Sequence, residues 1–170
     1  MAASSTNKQP LLIDRPLLEV KRLDATTSPA GTVDPGTGST GVLLVDCTSN
    51  DGAVLDSIWL IQRVASNQAA VNLYISSSGY SLGVTATGGS AQAFFLGRAA
   101  FAAAAAVGET MEFKLPKLLA PVPHAGANVD NGPPQYRGLY LRKGLALWAA
   151  VESATAVAAA PNIGCQGGYF

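Results

Sequence analysis

The chain is 170 residues long, balances eleven basic against eleven acidic side chains for a formal net charge of zero, and is only 13% charged. That length suits one domain with a substantial core, and the zero balance argues against a nucleic-acid partner, because phosphate neutralisation needs a basic excess. Ordinary domains are about 25% charged; a chain this sparse is expected to hide surface in permanent contacts, a neutral coat of Ser, Thr, Asn and Gln being the alternative.

Residues 1–9 are small and polar and read as a tail. No early apolar run precedes a small-residue cleavage site, so no secretory signal is expected. No stretch reaches roughly 18 uninterrupted apolar residues, so no membrane span is expected. Residues 10–23 carry Leu11, Leu12, Ile13, Leu17, Leu18, Val20 and Leu23, while Pro10 and Pro16 prevent a helix. Residues 24–41 are Thr, Ser, Pro and Gly, the composition of a linker. Residues 1–40 are therefore expected to form an extended N-terminal arm and linker, packed on their own domain or on a neighbour. An ordinary first strand of the same sheet fits residues 10–23 equally well.

The β domain is expected over residues 41–170. Val42–Asp46 is a nearly continuous apolar run and reads as a buried strand. Asn50, Asp51 and Gly52 make a turn. Residues 54–64 form a longer strand, with Ile58, Leu60 and Gln62 on one face and Trp59, Ile61 and Arg63 on the other. After a turn at Ser66 and Asn67, Val71, Leu73 and Ile75 point inward, and Asn72, Tyr74 and Ser76 outward. Residues 77–89 read as a polar, Gly-rich loop with a short strand at 82–85. Residues 93–96 are a strand. Residues 99–107, with five consecutive alanines, are expected to form a short helix stopped by Gly108, although so short a window is marginal without packing. Residues 111–115 are a strand, and Pro116, Pro121 and Pro123 bracket an extended segment at 118–122 that suits a sheet edge. Residues 124–134 are a loop.

The rest of the chain is organised around residues 137–151, RGLYLRKGLALWAAV. They read as a hairpin. Leu139 and Leu141 oppose Tyr140 on the first arm, and Leu145, Leu147, Ala149 and Val151 oppose Ala146, Trp148 and Ala150 on the second. Arg142, Lys143 and Gly144 supply the turn. A hairpin apolar on both faces needs cover on both. Segments 155–159 and 162–170 complete a set of short strands that indicates an all-β fold, an antiparallel β-sandwich or jelly roll.

No catalytic, cofactor-binding or metal-ligating residue is assigned, and the chain is expected not to be an enzyme. His124 is the lone histidine, which excludes a His-based triad or a multi-His metal site within one subunit. Asp46, Asp51 and Asp56 fall around one turn but lack a calcium-loop pattern. Gly36-Thr37-Gly38 and Gly88-Gly89 lack the flanking residues of a phosphate loop. Trp59, Tyr74, Tyr80, Phe94, Phe95, Tyr140 and Trp148 lie on separate strands and read as core or interface aromatics rather than a sugar platform. Cys47 and Cys165 have no metal or redox spacing and are expected to be buried free thiols. From residue 64 to 108 the only charge is Arg98, and residues 153–170 have none. Segments 64–97 and 153–170 are therefore expected at the interface of a symmetric homo-oligomer.

Residues 108–148 join GETMEFKL, LPKLLAPVPHAG and the RGLYL hairpin with its Gly144 turn. This segment resembles the C-terminal half of small jelly-roll structural proteins of tailed bacteriophages, which serve as capsid decoration or cement proteins or as accessory parts of the neck and tail. The resemblance covers about the last third of the chain and rests on sheet and turn patterns, so no active site is carried over. It implies a virion structural protein, assembled in the host cytoplasm, oligomeric with a trimer favoured, and docked on the major capsid protein or a tail component. A β-sandwich module for carbohydrate or a host surface is the alternative, resting on the aromatics and the Ser/Gly-rich loop at 76–90.

Overall fold

The computed structural model describes residues 15–23, 41–65, 69–77, 93–102, 105–113, 138–152 and 160–170. They form nine strands: β1 (Arg15–Arg22), β2 (Val42–Asp46), β3 (Gly52–Ile61), β4 (Ala70–Ser77), β5 (Ala93–Ala100), β6 (Thr110–Glu112), β7 (Leu139–Arg142), β8 (Leu145–Val151) and β9 (Asn162–Tyr169). Two antiparallel sheets pack face to face. The first runs β1-β9-β3-β6, with β7 also paired to β3; the second runs β2-β8-β4-β5. β7 joins the start of β3, from Gly52 to Leu55, and β6 joins its end, from Trp59 to Ile61. The all-β sandwich expected from the strand pattern is the observed fold.

Aliphatic side chains at alternate positions fill the space between the sheets. Leu55, Ile58, Leu60, Leu139, Leu141 and Ile163 come from the first sheet; Val45, Val71, Leu73, Leu147, Ala149 and Val151 come from the second. Each large side chain buried there contributes about 1.5–3 kcal/mol. The alternation changes phase where bulges intervene. In β3, Ala53 and Leu55 point inward, and then so do Ile58 and Leu60, because the pairing with β9 skips a residue between Leu55 and Ser57.

The segment that reads as a hairpin is not one. β7 pairs with β3 in the first sheet, while β8 pairs with β2 and β4 in the second. The turn at Lys143 and Gly144 is a corner between sheets, and Gly144 takes the positive φ of 83° that it needs. Lys143 N donates to Asp51 O, and Gly144 N to Cys47 O, so this corner is tied to the neighbouring β2–β3 corner. The face assignments hold: Leu139, Leu141, Leu147, Ala149 and Val151 enter the core, and only Leu145 remains half-buried. Two arms with apolar inner faces meet across the core rather than edge to edge.

The alanine-rich helix is also replaced. β5 continues as strand to Ala100, paired along β4, and Phe101 N donates to Ala69 O. No described residue is helical. At the start of the window Ala99 and Ala100 pair with Val71 and Ala70 of β4, and Ala99 enters the core. Of the five alanines that follow, Ala102, Ala105 and Ala106 are described and are in neither strand nor helix, and so short a window gains little as an isolated helix. Gly108 terminates a turn instead, with φ at 84°.

Of residues 10–23, Arg15–Arg22 is the first strand of the sandwich. It pairs with β9 over its whole length, and Leu17 and Leu23 enter the core. Lys21 Nζ donates to Leu43 O at 2.7 Å, crossing from β1 to β2 at the sandwich edge. The described part of the expected arm is thus built into its own domain. Residues 10–14, the linker to residue 40, the turn at Ser66 and Asn67, the loop 78–89 with Tyr80, Gly88 and Gly89, the edge 118–122, the loop with His124, and segment 155–159 lie outside the described residues.

Candidate binding face

The bulge at Asp56 decides what the outer face of the first sheet displays. Beyond it, Ser57, Trp59 and Ile61 point away from the core. Trp59 sits between Gly164 on β9 and Glu112 on β6. A Cβ on residue 164 would lie 2.5 Å from Cε2, 2.6 Å from Cζ2 and 2.7 Å from Nε1 of Trp59. The indole therefore lies across bare backbone, and only glycine permits that approach. Ser57, Trp59, Thr110, Met111 and Glu112 line an open cleft of about 300 Å³ beside it. Trp59 Nε1, Ser57 Oγ, Thr110 Oγ1 and the Glu112 carboxylate have no hydrogen-bond or ion-pair partner among the described residues. On the far side of β9 the same face carries Val20, 53% exposed, opposite Gly164, and Leu18, 69% exposed, opposite Gln166.

The outer face of the second sheet is built oppositely. Leu43, Trp148, Tyr74 and Phe95 form one row across its four strands. Trp148 Nε1 donates to Ser76 Oγ at 2.9 Å, and Asn72 Nδ2 donates to Tyr74 Oη at 3.1 Å. Tyr74 and Phe95 meet edge to face, 6.0 Å between centroids. Arg98 reaches Glu152 through Nε at 2.6 Å and Nη2 at 3.2 Å, so the one charge between residues 64 and 108 is paired. Asn72, Tyr74 and Ser76 point outward as the alternation requires, yet all three are buried. Aromatics that look scattered in sequence are here brought into one cluster by cross-strand register, and it is internally bonded.

The three acids around residue 51 do not converge. Asp46 accepts from Thr48 N at 2.9 Å and from its hydroxyl, and Asp51 pairs with Lys143 at 3.3 Å. Asp56 is exposed in the bulge. Among the described residues no group of three His, Cys, Asp or Glu side chains is placed to hold a metal ion. Cys47 and Cys165 are free and buried. Burial, helped by the Asp46 carboxylate, pushes the Cys47 thiol up to about 11; burial, helped by Glu19, pushes Cys165 up to about 11. Such thiols are poor nucleophiles. At the sandwich end Tyr140 stacks on Phe170 at 5.5 Å, and Arg15 lies 4.7 Å over Tyr169.

Two strands within the charge-free stretches, β4 and β9, are interior to their sheets, each with a neighbour on both sides, and interior strands buried on their inner face tolerate charge poorly. Phe94, 66% exposed, is an exception within the first stretch. Sequence reasoning did not find Ser57, Thr110 or Glu112 as companions of Trp59. Their meeting depends on a bulge and a register that no local pattern prints. No helix among the described residues is long and apolar enough to cross a membrane. Comparisons with protein-family models, characterised proteins and solved structures find no match to this chain.

Proposed function

We propose that this chain is a virion structural protein, a capsid decoration or cement protein that stabilises a shell through protein–protein contacts. The observation that carries the reading is the exposure of Leu18 and Val20, at 69% and 53%, side by side on an edge strand of a chain that is only 13% charged. Two aliphatic side chains held outward by a rigid sheet are an anchor for an apolar partner surface. The bacteriophage resemblance of residues 108–148 supplies the partner, the major capsid protein, and the trimeric state. The two strand orders and the repeated crossing of the chain between sheets support treating the sandwich as a jelly roll.

Mass spectrometry of purified particles, from the cells that make this protein, tests the proposal. A copy number in fixed proportion to the major capsid protein is expected. Absence from the particles overturns the reading, and a few copies per particle moves the protein to the neck or tail. The double variant Leu18→Asp, Val20→Asp should keep its fold and lose shell binding at least ten-fold. Unchanged binding removes β1 from the contact.

A further inference from the structure

The two outer faces each display a tryptophan, but only one is committed. Trp148 gives its N–H to Ser76 within a buried cluster. Trp59 lies half-buried with Nε1 over Gly164 on the β9 side, its N–H has no partner among the described residues, and Ser57, Thr110, Met111 and Glu112 line the cleft with it. We propose that the cleft between β3 and β6 binds one pyranose ring of a glycan, with Trp59 as its stacking platform.

The chemistry of the lining selects this ligand class. A flat indole face takes an apolar, ring-shaped surface, which the axial C–H face of a pyranose provides. With the indole ring the cleft is lined by two hydroxyls, of Ser57 and Thr110, and one strong acceptor, the Glu112 carboxylate. A sugar hydroxyl both donates and accepts, so it satisfies both kinds. A phosphate-bearing ligand is disfavoured, because Glu112 repels it and no cation among the described residues lines the cleft. A quaternary ammonium suits the indole and the carboxylate but offers the two hydroxyls no acceptor. The cleft, about 300 Å³ and open, is at the lower limit of small-ligand sites and matches one ring rather than a buried cofactor. The bulge at Asp56 and the glycine at 164 are both required to build it. The site goes beyond the shell-binding reading, uses different side chains from Leu18 and Val20, and stands or falls without it.

The indole N–H resonance of Trp59 in nitrogen-15 spectra of the full chain reads the site, with Trp148→Phe providing its assignment. The probes are methyl β-D-glucopyranoside, methyl β-D-galactopyranoside and N-acetylglucosamine, with choline chloride as the competing cation. At least one sugar should shift the Trp59 signal saturably, with a Kd on the order of 1 mM for a ligand this small. Trp59→Ala should abolish binding as read by saturation-transfer signals on the sugar. If that variant fails to fold, Glu112→Gln and Thr110→Val, both at exposed positions, should each weaken binding several-fold with melting unchanged. Three results overturn the proposal: no sugar moves the signal at about 50 times that Kd, choline alone moves it, or both exposed variants bind as tightly as the parent.

Discussion

Tyr74 illustrates how a side chain placed on the outer side of a sheet can still be held as firmly as the core. It is fully buried, meets Phe95 edge to face, and accepts the Asn72 amide at 3.1 Å. Among the described residues Asn72 Oδ1 has no hydrogen-bond partner, so the amide bears a desolvation cost and its bond to the tyrosine matters the more. Tyr74→Phe keeps the ring contact and removes the acceptor. That leaves a buried donor unpaired, a loss of about 1–3 kcal/mol. Chemical denaturation should show it as a lower midpoint at unchanged slope. An unchanged midpoint would mean that Asn72 turns to another partner. Trp59 shows the opposite economy at the same scale, since its packing is provided by a missing side chain at Gly164 and its polar atom has no partner among the described residues.

At the scale of the element, β7 and β8 show what a two-residue period does and does not determine. The period fixed which side chains face inward, and it did so correctly from Leu139 to Val151 apart from the half-buried Leu145. It carried no information about partners, because a corner between sheets and an in-sheet hairpin need the same alternation and a similar turn. The same limit hid the candidate site: Ser57 and Trp59 lie on a strand that was legible, but Glu112 and Gly164 reach them only through register and a bulge. The alanine-rich segment failed for a different reason: its first two residues pair with β4, and the intrinsic preference of the rest is worth only tenths of a kcal/mol per residue. The sandwich placement makes a graded prediction. Leu147→Ala removes a fully buried side chain from between the sheets and should cost about 2–5 kcal/mol. Leu145→Ala, at a half-buried position by the corner, should cost about 1 kcal/mol. Equal melting losses for the two would place both at the same depth and contradict the corner.

Across the whole molecule, burial of titratable groups has a consequence at alkaline pH. Groups from both sheets hold their protons more tightly in the fold than in the unfolded chain. Burial lifts Cys47, just after β2, and Cys165, on β9, from 9.0 to about 11. Burial also raises Tyr169, with the nearby Cys47 adding to it. Below pH 9 the folded and unfolded chains both keep the thiol protons, and these groups cause no pH dependence. Between about pH 9 and 11 the unfolded chain releases them while the fold retains them, so the unfolded state binds fewer protons and stability falls as pH rises. The loss is complete only once the folded thiols themselves ionise, above about 11. The melting temperature under reducing conditions should therefore decline from pH 9 to pH 10.5. In the Cys47→Ala, Cys165→Ala double variant the decline should be shallower than in the parent, even if the variant melts lower at pH 7. A decline of equal steepness in both would assign the alkaline loss to groups other than the thiols.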